Sequence, residues 1–349
     1  MGRKSKKIRV GKAYIGGDAP ISVQSMTNTD TTDVDVTVKQ INELEKIGCE
    51  IIRVSAPTIE SAKALKEIKK NINLPLVADI HFDYRIALEA AKYVDKLRIN
   101  PGNIGSQDKI KQVVSAAKEH GIPIRVGVNL GSLEKDLFEK YGYSAEAMVE
   151  SALRHVKILE DLDFYDTVVS LKASDVPRMA EAYRLFAKKT VYPLHLGVTE
   201  AGSKFPGTIK NSIGIGVLLS EGIGDTIRVS LSDDPKEEVK VGKRILRALG
   251  LRKDGVEVTS CPTCARTNID VIKISEEIEE KTEGIKKPIH VAIMGCAVNG
   301  PGESKKADVG VVGGIGDDNL LYKDGKIVGK VKNEEVVDRL MKEIGELGK

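Results

Sequence analysis

Short runs rich in Val and Ile recur through roughly the first 250 residues, each followed by a stretch with apolar positions three and four apart. The runs SVQSM, IIRVSA, LVADI, KLRIN, IRVGVN, VVSLKA, LHLGVT and IRVSLS read as strands. The stretches between them, such as VDVTVKQINELEKIG, TIESAKALKEIKKN, SAEAMVESALRHVKILEDL and DPKEEVKVGKRILRALG, read as amphipathic helices. Thr58 caps the second of these, and Ser232 and Asp233 are placed to cap the helix that Pro235 opens. Eight strand-helix units of this length predict a TIM (β/α)8 barrel, with a doubly wound open sheet as the alternative. The basic start, MGRKSKKIRV, reads as a solvated tail.

After Leu251 the rhythm changes. VEVTSCPTC, a helical IDVIKISEEIEEKTEGI, an apolar HVAIMG, VGVVGG, a hairpin LLYKDGKIVGKV and a last helix NEEVVDRLMKEIGEL predict a smaller α+β domain. The expected boundary falls at Arg252-Lys253-Asp254-Gly255, giving domains 1–252 and 253–349.

Side chains on a strand alternate faces, so parity sorts the polar residues of the barrel. Arg53 shares a face with Ser55, Asp79 with His81, Arg98 with Asn100, and Arg125 with Gly127 and Asn129. Ser170 pairs in the same way with Lys172, His195 with Gly197 and Thr199, and Arg228 with Ser230. In a barrel this face lines the interior and its upper mouth. Desolvated guanidinium groups without partners cost several kcal/mol each, about the figure that a bound anion offsets. Arginine forks onto phosphate oxygens, and a diphosphate carries enough charge for several cations, so a phosphorylated small molecule is the expected ligand. The glycine-rich GTIKNSIGIGVLLSEGIGD could add backbone amides for phosphate or serve as a plain connection. Glu200, in HLGVTEAG just past the seventh strand, is the one carboxylate expected among these cations, as a proton donor or acceptor or as an ion-pair partner. Asp79, His81 and Asp83 either position substrate or cap the next helix.

Composition changes this picture little: 41% hydrophobic and 30% charged residues mark an ordinary globular protein. A net charge of +3, no Trp and 4% aromatics argue against a nucleic-acid partner. With no bilayer-length apolar run and no signal-peptide segment, the expected location is the cytoplasm and no membrane partner is expected. Reducing conditions there make a CxxC metal-binding or redox-active. Of four cysteines, Cys49 lies in the apolar GCEIIRV and fills core space, whereas Cys261 and Cys264 form CPTC and Cys296 returns in MGCAVNGPGES. Three thiolates from two loops suit zinc or an iron-sulfur cluster. Near Cys296 there is neither a second CxxC nor a His pair of the structural-zinc kind, and Glu303 is the nearest oxygen ligand.

The segments SVQSMTNTDT, IIRVSAPT, LVADIHFD, LRINPGNIG, RVGVNLGSL, SLKAS, LHLGVTEAG, IRVSLSDDP, CPTCARTN and GCAVNGPGE, taken together, resemble the 4-hydroxy-3-methylbut-2-enyl diphosphate synthase family in its two-domain bacterial form. The resemblance runs end to end and implies a TIM barrel carrying an iron-sulfur domain. It implies one 4Fe-4S cluster per subunit on Cys261, Cys264, Cys296 and Glu303. The implied substrate is 2-C-methyl-D-erythritol 2,4-cyclodiphosphate, its diphosphate among Arg53, Arg98, Arg125, Asn129, Lys172, Arg228 and Ser230, with His195 and Asn299 as further contacts. Two electrons from ferredoxin or flavodoxin and a proton from Glu200 would open the ring and release water. A head-to-tail homodimer is also implied, the small domain of one subunit covering the barrel mouth of the other.

Overall fold

A computed structural model describes residues 3–348. The chain divides into two compact units, the first ending at Leu251 and the second starting at Arg252. In the first unit, a hairpin of β1 (Ile8–Val10) and β2 (Ala13–Ile15) precedes eight parallel strands. These are β3 (Ser22–Met26), β4 (Ile51–Ser55), β5 (Leu76–Asp79), β6 (Lys96–Ile99), β7 (Ile124–Asn129), β8 (Thr167–Lys172), β9 (His195–Leu196) and β10 (Thr226–Ile227). Each pairs with its neighbour in sequence, β10 returns to β3, and a parallel bridge from Val169 to Leu194 joins β8 to β9. The ring therefore closes, and the barrel is realised in place of the open sheet.

The outward Ile, Val, Leu and Ala of these strands pack against the surrounding helices in one continuous core that includes Ile52, Val54, Leu76, Leu97, Val126 and Leu171. The helix Ile59–Lys70 starts on a reciprocal capping box: Ser61 N–H donates to Thr58 Oγ1 at 3.1 Å, and Thr58 N–H donates to Ser61 Oγ at 2.9 Å. Pro235–Ala248 is capped by Asp234, which accepts from Lys236 N–H, and not by Ser232 or Asp233.

Two sequence expectations fail here for physical reasons. Most of the glycine-rich segment before β10 is the helix Lys204–Ser220 and not a phosphate loop. Its glycines permit close packing: a Cβ on Gly207 would meet Leu231 Cδ2 at 2.7 Å, and one on Gly214 would meet Val198 Cγ2 at 2.8 Å. The basic start is not a solvated tail either. Gly11, at φ +57°, turns the hairpin so that Ile8, Val10 and Ile15 are buried with Ile51, Val77 and Val168, closing the barrel at the N-terminal ends of its strands. Upstream, Arg3 donates to the carbonyls of Thr190 at 2.6 Å and Tyr192 at 2.9 Å, and Lys6 N–H to Val191 O at 2.7 Å.

The second unit is a five-stranded sheet of β11 (Val256–Ser260), β12 (Ile289–Met294), β13 (Val309–Val312), β14 (Asn319–Lys323) and β15 (Lys326–Val331), in that order. The first three are parallel and the last two antiparallel. Ile274 and Ile278 of the helix Val271–Lys281 and Leu340 and Ile344 of Val336–Gly348 share a core with Val291, Val309 and Leu321. No helix among the described residues is long and apolar enough to cross a membrane.

The hairpin floor gives a direct stability test. Ile15→Ala is expected to cost about 2–5 kcal/mol in urea denaturation, the range for a buried aliphatic truncation. Tyr14→Ala, on the outward face at 47% exposure, should cost less than about 0.5 kcal/mol.

Candidate active site

The polar face assigned by parity does line the barrel. A Cβ on Gly127 would stand 2.9 Å from Arg98 Nε, and one on Gly197 would stand 2.7 Å from Lys172 Nζ. Gly127, within β7, is thus glycine because Arg98 occupies the space where a side chain would lie, whereas Gly197, just past β9, is held tightest by the Arg228 carbonyl oxygen, 2.3 Å from where its Cβ would stand. Arg53, Arg98, Arg125 and Lys172 are buried, and Arg228 is nearly so. Lys96, on the same face of β6 as Arg98, is wholly buried as well.

Two carboxylates answer these six cations. Asp79 Oδ1 accepts from Arg98 Nη1 at 3.0 Å, and its Oδ2 lies 3.8 Å from Arg53 Nε. Glu238, from the helix after β10, sits 3.5 Å from Arg228 Nη2 and accepts from Ser25 Oγ at 3.3 Å and Leu231 N–H at 3.0 Å. Arg53 turns Nε and Nη2 toward Met26 Sδ, a weak acceptor, at 3.1 and 2.9 Å. Arg125 Nε and Nη1, Arg98 Nε, Arg228 Nε and both ring nitrogens of His195 are buried without a hydrogen-bond partner.

The electrostatics record the crowding. Burial lowers the Arg53 guanidinium to about 10, with Asp79 opposing and Arg228 and Arg98 adding to the shift. Lys172 is pushed well below the usual lysine value by burial and then by Arg228, Arg125 and Arg53. Arg125 is lowered in the same way, by burial and then by Arg53 and Arg98. Burial raises the Asp79 carboxyl, but Arg53, His81 and Arg98 outweigh it and hold it well below the usual carboxylate range. A multiply charged anion entering from the C-terminal ends of the strands relieves this repulsion. The other end is closed by apolar side chains.

Asn129 and Ser230 are half-buried at the C-terminal ends of this face. Glu200 differs from expectation: it is exposed on the rim, while the carboxylates among the cations are Asp79 and Glu238. Its backbone is left-handed at φ +52°, a conformation that costs a non-glycine residue about 1 kcal/mol or more and recurs at functional turns. Asp83 accepts from Arg85 N–H as a helix cap. Sequence reasoning missed Lys96, although it shares parity with Arg98, and Glu238, which arrives from a helix and carries no strand signal.

In the second unit, the CPTC turn after β11 and the loop after β12 adjoin. Gly295 N–H donates to Cys261 Sγ at 3.1 Å, Asn268 N–H to Gly295 O at 2.9 Å, and Cys264 N–H to Thr267 Oγ1 at 3.1 Å. Cys261, Cys264 and Cys296 are free thiols; Cys264 is exposed and the other two half-buried. The short helix Gly300–Ser304 follows Cys296, with Gly300 N–H donating to Cys296 O at 3.2 Å, and carries Glu303, whose carboxylate accepts from the exposed Lys306 at 3.2 Å. Asn299 is exposed at the start of this helix. Among the described residues no three His, Cys, Asp or Glu converge closely enough for a single metal ion. A cubane cluster spreads its ligands farther apart than one ion does, and uncommitted sulfurs that accept backbone N–H groups suit it. Cys49, by contrast, is core: burial pushes its thiol up to about 12, and it donates to Ile51 O at 3.2 Å.

Fold and site together define a (β/α)8-barrel protein with a cation-lined interior and a second, thiol-bearing α+β unit. Residues 5–243 match the family model described as the GcpE TIM-barrel domain, and residues 257–346 match that of the GcpE protein C-terminal domain. The chain belongs to the GcpE family. It is 59% identical over 351 residues to 4-hydroxy-3-methylbut-2-en-1-yl diphosphate synthase (flavodoxin) of Caldanaerobacter subterraneus subsp. tengcongensis, covering 100% of this chain and 99% of that protein. It is 59% identical over 343 residues to the protein of the same name from Clostridium acetobutylicum, covering 98% of each. Among solved structures, N-acetylneuraminic acid synthetase from Leptospira borgpetersenii aligns with a TM-score of 0.52 at 14% identity, over 80% of this chain and 98% of that one. Dihydropteroate synthase from Stenotrophomonas maltophilia aligns at 0.50 and 12% identity, over 69% and 98%. These two likenesses concern the fold alone.

The space that Gly127 leaves for Arg98 can be tested without turnover. Gly127→Ala is expected to weaken inorganic diphosphate binding roughly tenfold, about 1.4 kcal/mol, as read from ligand-induced thermal stabilisation. An unchanged dissociation constant would remove Arg98 from the anion site.

Proposed function

We propose that this chain is an iron-sulfur oxidoreductase of isoprenoid-precursor synthesis. It reduces 2-C-methyl-D-erythritol 2,4-cyclodiphosphate to (E)-4-hydroxy-3-methylbut-2-enyl diphosphate and releases water. The observation that carries the reading is the excess of buried cations over carboxylates at the barrel mouth, in a chain 59% identical to synthases of that product. The relatives' names favour flavodoxin over ferredoxin as donor, and the free thiols of the second unit suit the reducing cytoplasm as the setting.

The barrel side chains bind and orient. Arg53, Arg98, Arg125, Lys172 and Arg228 neutralise the diphosphate, Asn129 and Ser230 hydrogen-bond its oxygens, and His195 lies beneath it. The single product of ring opening stays under this clamp, because the diphosphate remains attached to one carbon after its bond to the other breaks. Glu200, on the rim, gives the proton with which the departing hydroxyl leaves as water. A 4Fe-4S cluster would be held by Cys261, Cys264, Cys296 and Glu303, and when bound it supplies Lewis acidity and the two electrons of the reduction. Glu303 is available for that role, since its present pairing with exposed Lys306 is of the kind worth ~0–1 kcal/mol.

A head-to-tail homodimer completes the site. Phe82, 74% exposed, sits on the loop that follows β5, and Phe205, 77% exposed, in the first turn of the helix Lys204–Ser220 that follows β9, both at the mouth. Val298 and Ile315, 65% and 96% exposed, flank the thiol loops of the second unit; Gly313 N–H ties the latter's loop to Met294 O at 2.8 Å. Such apolar side chains seek a cover, and the second unit of a partner subunit supplies it, bringing the cluster and Asn299 to the mouth and enclosing Glu200.

Anaerobically purified protein should be brown, with broad visible absorption and roughly four irons per chain. Colourless protein with a single zinc would sink the cluster reading. With reduced flavodoxin and the cyclodiphosphate, Glu200→Gln should keep its iron and lose about 10²–10⁴-fold in kcat. Undiminished turnover would take Glu200 out of the reaction.

A further inference from the structure

Lys96 stands among the cations of the barrel, yet no role has been assigned to it. It is 0% exposed, and its Nζ has no hydrogen-bond partner. A buried ammonium in that state is not sustainable, since desolvating an unpaired charge costs more than releasing its proton. The groups acting on it come from the neighbouring strands. Arg53 of β4 and Arg125 of β7 are both cations, and His195 of β9 lies within reach of its field. The interior carboxylates are engaged elsewhere, Asp79 with Arg98 and Arg53 and Glu238 with Arg228. Toward the floor lie the apolar side chains of the hairpin cluster and, level with Ile51, the buried amide of Gln24, an uncharged group. Burial first, and then Arg125 and Arg53, hold the amine well below the usual lysine value.

We propose that Lys96 is a positioning residue for the diphosphate, uncharged in the empty barrel and protonated when the anion enters, so that ligand binding is coupled to proton uptake. This rests on the reading that the cyclodiphosphate occupies the barrel. The amine passes from NH2 to NH3+ with a proton drawn from the buffer. The ligand contributes none, because each phosphorus of a cyclic diphosphate carries one strongly acidic oxygen that is already ionised. Lys96 thereby acts as a reserve charge. The empty fold is spared one more repulsion among its cations, and the anion still meets a full positive well. His195 and Lys172 are buried beside the same groups and are held low in the same way, by burial first and then by the neighbouring cations, so the comparison with Lys96→Met is what assigns the proton to Lys96.

Calorimetric titration of the cluster-loaded protein with the cyclodiphosphate, anaerobically and without reductant, tests this. At pH 8, in Tris and in HEPES, the difference in binding heat should report roughly one proton taken up per ligand, and affinity should fall up to tenfold per pH unit above neutrality. Lys96→Met should bind with a heat that no longer depends on the buffer and with a flatter pH profile. Binding by the wild type with equal heats in the two buffers would overturn the proposal, as would uptake retained in Lys96→Met. If Lys96→Met does not fold, the wild-type pH profile decides alone: an affinity independent of pH between 7 and 9, in the sense of roughly no linked proton, overturns it. No binding in any buffer would overturn the cyclodiphosphate reading itself, and the Lys96 proposal with it.

Discussion

Mutual repulsion among buried cations is the constraint around which the barrel is organised. Arg53, Arg98, Arg125, Lys172 and Arg228 share an interior that holds two carboxylates. Such an arrangement opposes folding, so the stability of the unit has to come from elsewhere. The shell between strands and helices supplies it, with Ile, Val, Leu and Ala packed at or near zero exposure around the ring. The two functions are separated by strand parity: outward residues hold the barrel together, and inward residues are free to be unfavourable until a ligand arrives.

That separation is also why so much was legible in the sequence. Period-two alternation put Arg53, Arg98, Arg125, Lys172 and Arg228 on the inner face before any coordinates, and the structure places them there. Residues were misread where the signal was not local. Glu238 belongs to an amphipathic helix and reaches the interior through tertiary packing. The hairpin at residues 8–15 alternates apolar and polar positions, yet its strands are three residues each, too short to stand out beside a run of lysines. The glycines at 207 and 214 looked like loop chemistry because a glycine records that space is needed and not what fills it.

In the second unit the sequence indicated the thiols, and the fold explains how they adjoin. Parallel pairing of β11 with β12 ends both strands at the same edge, so the turn bearing Cys261 and Cys264 lies next to the loop bearing Cys296. Spacing alone could not show that, since 31 residues, a helix among them, lie between Cys264 and Cys296. A crossover helix between parallel strands makes the two ends neighbours whatever its own length.

The hairpin floor has a consequence for traffic. With Ile8, Val10 and Ile15 stoppering one end, the barrel is a cup with a single doorway. Whatever enters past the rim must leave by the same route, so a spent molecule bars the next one until it has gone. Water released deep in the cup has no drain below it. Any cover over the doorway must therefore lift once for every molecule converted, and the pace of the whole cycle is bounded by how fast that cover moves.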